Sequence, residues 1–189
     1  MRKLQVVLLL TVSCSVPILG QDKGELFGGY SFERIAPGCG SNYRCGYGPS
    51  ENINGWTASA TGYLNKSFGV SAQFTGGYNG NASLSYSKVN RYTYQFGPTY
   101  AFHVRNVRPF AHFLLGAVSQ KSSGDQTLSY GAFIWSAGGG LDWKASNRIS
   151  LRPVQFDYER QNVPGSAAGG GSSASANGLR YSAGVVFHF

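Results

Sequence analysis

The chain has 189 residues, which leaves one domain's worth of polypeptide once an export signal is set aside. Charged residues are only 13% while aromatics reach 14%, and no run of apolar residues recurs at helical spacing, so an all-β chain is expected. The formal net charge is +8, yet the basic residues form neither a run nor an aromatic platform of the kind nucleic-acid binding uses.

The N-terminus reads as a secretory signal. Arg2-Lys3 precedes the apolar stretch Leu4 to Val12, and Pro17-Ile18-Leu19-Gly20 supplies a small-residue cleavage region, so residues 1–20 are expected to be removed and 21–189 to form the mature domain. The apolar part is too short to span a bilayer, and no later stretch approaches a run of ~18 apolar residues. Cys14 follows Thr11-Val12-Ser13, a poor lipid-attachment context, and is read as part of the discarded peptide, with a lipoprotein as the alternative.

From residue 24 the chain falls into alternating segments, the signature of strands with two unlike faces. The first, 24–33, has Leu26, Tyr30 and Phe32 in phase. The second, 54–64, sets Trp56, Ala58, Ala60 and Leu64 against Thr57, Ser59 and Thr61; the third, 69–78, sets Val70, Ala72, Phe74 and Tyr78 against Ser71, Gln73 and Thr75. The fourth, 92–103, has Tyr92, Tyr94, Phe96, Tyr100 and Phe102 on one parity. The fifth, 109–119, is apolar on both parities, and only His112 marks its inward face. The sixth, 132–143, aligns Phe133, Trp135, Ala137, Leu141 and Trp143.

The seventh segment, 148–160, changes phase: Ile149 and Leu151 share one parity, Val154, Phe156 and Tyr158 the other. Proline removes a ladder donor and is tolerated at bulges, so a β-bulge near Pro153 is expected to return Arg152, Gln155, Asp157 and Glu159 to one inward set. The eighth, 178–189, alternates to its end on Leu179, Tyr181, Ala183, Val185, Phe187 and Phe189.

Aromatics on one parity with hydroxyls, amides and glycines on the other invert the pattern of a soluble barrel, whose aromatics pack inward. Connections alternate long (34–53, 79–91, 120–131, 161–177) and short (65–68, 104–108, 144–147), as transmembrane barrels join their strands by short periplasmic turns and longer extracellular loops. An eight-stranded antiparallel up-and-down transmembrane β-barrel is the expected fold.

The Tyr181 to Phe189 alternation, Phe27-Gly28-Gly29-Tyr30 in the first strand and Val107-Arg108-Pro109-Phe110 in the fifth resemble the small bacterial outer-membrane β-barrel family. That family includes the transmembrane domain of outer membrane protein A and related eight-stranded barrels. The resemblance implies an outer-membrane location and a final strand, with Tyr181, Val185, Phe187 and Phe189, that the barrel-assembly machinery reads. The chain ends at Phe189 without the peptidoglycan-binding domain of two-domain members, so cell-wall tethering is not expected.

Eight strands leave a lumen just wide enough for side chains. The inward parity carries Asp142, Arg152, Asp157, Glu159 and Arg180, and Asp142 lies across a tight turn from Arg148 and Arg152. Buried charges require partners, so Asp142, Arg148, Arg152, Asp157 and Glu159 are expected to close the interior as an ion-paired plug. Arg34, Lys88, Arg91, Lys121 and Arg160 stand near loop bases, where lipopolysaccharide phosphates would lie, and Lys66, Arg105, Arg108 and Lys144 stand at turns.

Catalysis is not expected. His103, His112 and His188 are the only histidines, and no serine stands at a strand spacing that would bring it onto one of them as a nucleophile. Cys39 and Cys45 form the only close cysteine pair of the mature chain and have no histidine nearby; export favours a disulfide, and neither metal nor cofactor is expected. A closed barrel displaying loops for envelope integrity or surface interaction is the first functional reading. A small channel or transporter for ionic or hydrophobic solutes is the second.

Overall fold

The computed structural model describes residues 24–39, 51–79, 86–124, 128–163 and 174–189. They form β1 (Gly24–Cys39), β2 (Glu51–Tyr63), β3 (Phe68–Asn79), β4 (Tyr86–Ala101), β5 (Val107–Gly124), β6 (Leu128–Lys144), β7 (Ile149–Val163) and β8 (Ala174–His188). Each strand pairs antiparallel with the next, and β1 pairs with β8 to close the barrel. Tyr30, for instance, lies between Trp56 and Ala183.

Strands extend beyond the segments expected from alternation, chiefly at the loop end. There β5 runs to Gly124 and β6 starts at Leu128, so most of the expected 120–131 loop is paired hairpin. Backbone pairing needs no apolar face. Alternation reports only the zone where the two faces meet different surroundings, so it fades before the ladder does.

The short turns are built locally. Asn65 Oδ1 accepts from the amides of Ser67 and Phe68, at 3.0 and 2.8 Å, and Ser146 Oγ accepts from those of Arg148 and Ile149. Such side-chain to backbone bonds replace ladder bonds and reverse the chain. Arg105 and Asn106 close the middle turn between Val104 and Val107, which exchange both backbone bonds.

Outward faces carry most of the large apolar side chains, with Phe156, Leu179 and Phe96 each about 60% exposed, whereas Phe27, Tyr63 and Phe110 are buried inside. Ladders run across strands through Trp56, Phe74 and Tyr94, with ring centroids 5.1 and 4.6 Å apart, and through Phe113, Trp135 and Tyr158. Such contacts stiffen the wall from its outer side. At the seam, Gly29 faces Gly184, and a Cβ on either would strike the opposite backbone.

The expected bulge is present. The β7–β8 register shifts between Arg152 and Gln155, and both residues, with Asp157 and Glu159, point inward. Outside, the Tyr181 hydroxyl donates to the Pro153 carbonyl at 2.8 Å. The interior is not wholly polar: Ile35, Ile53, Leu114, Val118 and Ile134 are buried towards the loop end, so β5 turns Phe110, Leu114 and Val118 inward beside Arg108, His112 and Gln120.

Candidate functional site: the ion-paired lumen

The centre of the lumen is organised by β7. Its bulge places Arg152, Gln155, Asp157 and Glu159 along one inward line, and neighbouring strands aim partners at it. Arg152 binds Asp142 in fork geometry, Nε to Oδ1 at 2.6 Å and Nη2 to Oδ2 at 3.0 Å, while its guanidinium lies 4.4 Å from the Phe27 ring centre and 4.1 Å from that of Phe110. Arg152 Nη1 also donates to Gln155 Oε1. Gln155 in turn donates to Asp157 and to Gln73 across the lumen.

Asp157 is the hub. Arg180 Nη2 reaches its Oδ2 at 3.0 Å, and His112 Nε2 lies 2.6 Å from its Oδ1. Arg180 continues to Glu159 at 2.5 Å and to the Thr75 hydroxyl at 3.3 Å. Above it, Arg91 pairs with Glu33 at 3.1 Å and Glu159 at 3.5 Å and donates to Gln161. A connected chain thus runs from Asp142 through Arg152, Gln155, Asp157, Arg180 and Glu159 to Arg91 and Glu33.

Charges so placed are out of water, and their burial is offset only by pairing and hydrogen bonds. The fork at Arg152 and the double contact of Arg180 meet that demand with geometry that guanidinium provides and ammonium does not. Among the described residues, every cation inside this lumen is an arginine or a histidine. Beside Arg152 a polar cavity lined by Thr61, Gln73, Thr99 and His112 has room for about one water.

Of the residues singled out from sequence, Asp142, Arg152, Asp157 and Glu159 come together, joined by Arg180. Arg148 does not join them: it sits exposed in the 145–148 turn. Turn backbone geometry carries it outside the wall, and the fork from Arg152 occupies both oxygens of Asp142. Arg91 and Arg108, read as rim cations, also differ, because Arg91 is buried among Glu33, Glu159 and Gln161, and Arg108 turns in to pair with Glu25. The parity signal was available: Arg91 is in phase with Thr93 and Gln95, and Glu25 and Glu33 alternate against Leu26 and Phe32.

A second cluster lies at the short-turn mouth. Ser150 Oγ is 2.8 Å from His188 Nε2, and His188 Nδ1 is 3.2 Å from Glu25 Oε1. This is the connectivity of a nucleophile, base and orienting acid, reached through pairing that sequence spacing did not reveal. Other features oppose catalysis: Ser150 is only 4% exposed, Glu25 is shared with Arg108 and the Tyr63 hydroxyl, and neighbouring strand amides are committed to the ladder instead of an oxyanion hole. Among the described residues no group of histidine, cysteine and carboxylate side chains could hold a metal ion.

Residues 1–20 and Cys45 lie outside the described residues, as does the side chain of Cys39 at the end of β1. Tyr181, Val185, Phe187 and Phe189 share the outward parity of β8, and Phe189 exchanges backbone bonds with Gly24.

No protein-family model matches the sequence, and no curated protein does. Its fold is similar to those of solved outer-membrane barrels, among them the following. Neisserial surface protein A is 14% identical, with a TM-score of 0.65 over 88% of this chain and 97% of that one. Ail, the attachment invasion locus protein of Yersinia pestis, is 16% identical, with a TM-score of 0.58 over 90% of this chain and 100% of its own. The outer membrane protein OprG from Pseudomonas aeruginosa is 10% identical, with a TM-score of 0.56 over 90% and 98%. The chain has the fold of the small eight-stranded outer-membrane barrels.

Proposed function

We propose that this chain is a non-enzymatic barrel of the bacterial outer membrane, exported with residues 1–20 as a cleaved signal, whose lumen is closed and whose long loops act at the cell surface in envelope integrity or interaction. The observation that carries the closed reading is the chain of contacts from Asp142 to Glu33, which crosses the lumen through the fully buried Arg180 and Asp157. Outward aromatics support membrane insertion, since a water-facing wall of that composition would aggregate. Arg34, Lys121 and Arg160, exposed on the outer wall near the loop end, are suited to lipopolysaccharide phosphates. The outward parity Tyr181, Val185, Phe187 and Phe189 is suited to the barrel-assembly machinery.

A small channel for ionic or hydrophobic solutes is the second reading, favoured by the polar cavity beside Arg152. Planar-bilayer recording of the refolded protein separates the two. The closed reading expects baseline conductance across applied voltage; sustained unitary openings would replace it with the channel.

A further inference from the structure

The three short turns share one construction. Lys66 follows exposed Leu64, Arg105 follows exposed Val104, and Lys144 and Arg148 flank the third turn beside exposed Trp143. All four cations are exposed, and none makes an ion pair among the described residues. Carboxylates that could neutralise them are elsewhere: among the described side chains, every one, Glu25, Glu33, Asp142, Asp157 and Glu159, is buried in the lumen. Among the described side chains, acid is held inside the barrel while these cations are presented at its rim.

Arg105 adds an independent observation. Its φ of 47° lies in the left-handed region, which favours glycine or asparagine and is strained for an arginine. A long, exposed cation is therefore held at the turn tip against backbone preference.

We propose that the short-turn rim is a binding surface for anionic phospholipid, its cations meeting headgroup phosphate while Leu64, Val104 and Trp143 enter the acyl boundary. Apolar side chains followed outward by cations match the order of layers in a leaflet, and phosphate with net negative charge complements a rim that has no exposed acidic side chain among those described. A zwitterionic headgroup offers the same phosphate with its charge cancelled. The inference rests on the reading of the barrel as membrane-spanning.

Trp143 supplies the reporter. With Trp56→Phe and Trp135→Phe it is the sole tryptophan of the chain, which has three. The full chain is refolded into phosphatidylcholine vesicles containing a minor fraction of chain-brominated phosphatidylglycerol or, separately, chain-brominated phosphatidylcholine. Quenching by the anionic lipid should be about threefold stronger, fall towards parity in high salt, and disappear in the K66Q/R105N/K144Q/R148Q variant, whose folding is checked by heat-modifiable migration. K121Q, at the other end of the barrel, should retain the preference. Equal quenching by the two lipids in the parent protein would overturn the proposal. Absence of quenching even in vesicles made wholly of brominated phosphatidylcholine would instead overturn the membrane-spanning reading.

Discussion

His112 and Asp157 meet at 2.6 Å across a glycine. They stand on β5 and β7, and Gly138 of β6 lies between them in register with both. Any side chain at 138 would occupy the space that Asp157 uses, since a Cβ there collides with Asp157 Oδ1 and the Phe156 carbonyl. Gly138→Val should therefore separate Asp157 from its partners and destabilise the barrel by about 3–5 kcal/mol, the usual loss when a buried pair is broken. Urea refolding titrations check it, with Gly62→Val as the control, because nothing lies within 4 Å of a Cβ at Gly62.

Arg152 and Arg148 should behave oppositely although both neighbour Asp142 in sequence. Arg152→Ala removes a fork and leaves the Asp142 carboxylate buried, with an expected loss of about 3–5 kcal/mol or a rise in bilayer conductance. Arg148→Ala touches only an exposed turn and should stay within about 0.5 kcal/mol of the parent. If Arg152→Ala keeps both urea stability and baseline conductance, another layer of side chains closes the lumen.

Tyr181 of β8 and Phe189, which follows that strand, should separate stability from assembly. Tyr181→Phe leaves the Pro153 carbonyl without its hydroxyl donor on the outer side of the bulge, with an expected loss of about 1–2 kcal/mol. Deleting Phe189 should instead lower the yield of folded protein in the outer membrane. Wild-type yield after the deletion would remove Phe189 from the assembly signal.

Ser150 should not react as a nucleophile. Treatment of the folded protein with a fluorophosphonate and peptide mass spectrometry should find the Ser150 peptide unmodified, because its hydroxyl is buried and His188 is held by a Glu25 already shared with Arg108. Labelling that disappears in His188→Ala would make the mouth cluster catalytic.

Cys39 and Cys45 are expected to be bridged in the exported protein, closing a short loop worth roughly 2 kcal/mol in the chain-entropy description. Mass spectrometry of unreduced protein should find the pair two hydrogens lighter than the thiols. Alkylation of both cysteines without prior reduction would contradict the bridge.

The barrel was legible in the sequence because a wall with two unlike surroundings imposes a rule on every second residue. Parity alone assigns Trp56, Phe74, Tyr94 and Trp135 to the outer face, and the change of phase between Leu151 and Val154 locates the bulge. Parity also carried Asp142, Arg152, Asp157 and Glu159 inward. It could not say which charge meets which, since partners come from several strands around the ring: Arg91 of β4 finds Glu33 of β1 and Glu159 of β7, His188 of β8 finds Glu25 of β1, and Arg180 finds Asp157 on the neighbouring strand. Nor could it separate Arg148 from Arg152. Alternation follows from local backbone geometry and the two surroundings of a wall; pairing inside depends on register around the closed ring, and only the folded barrel sets that register.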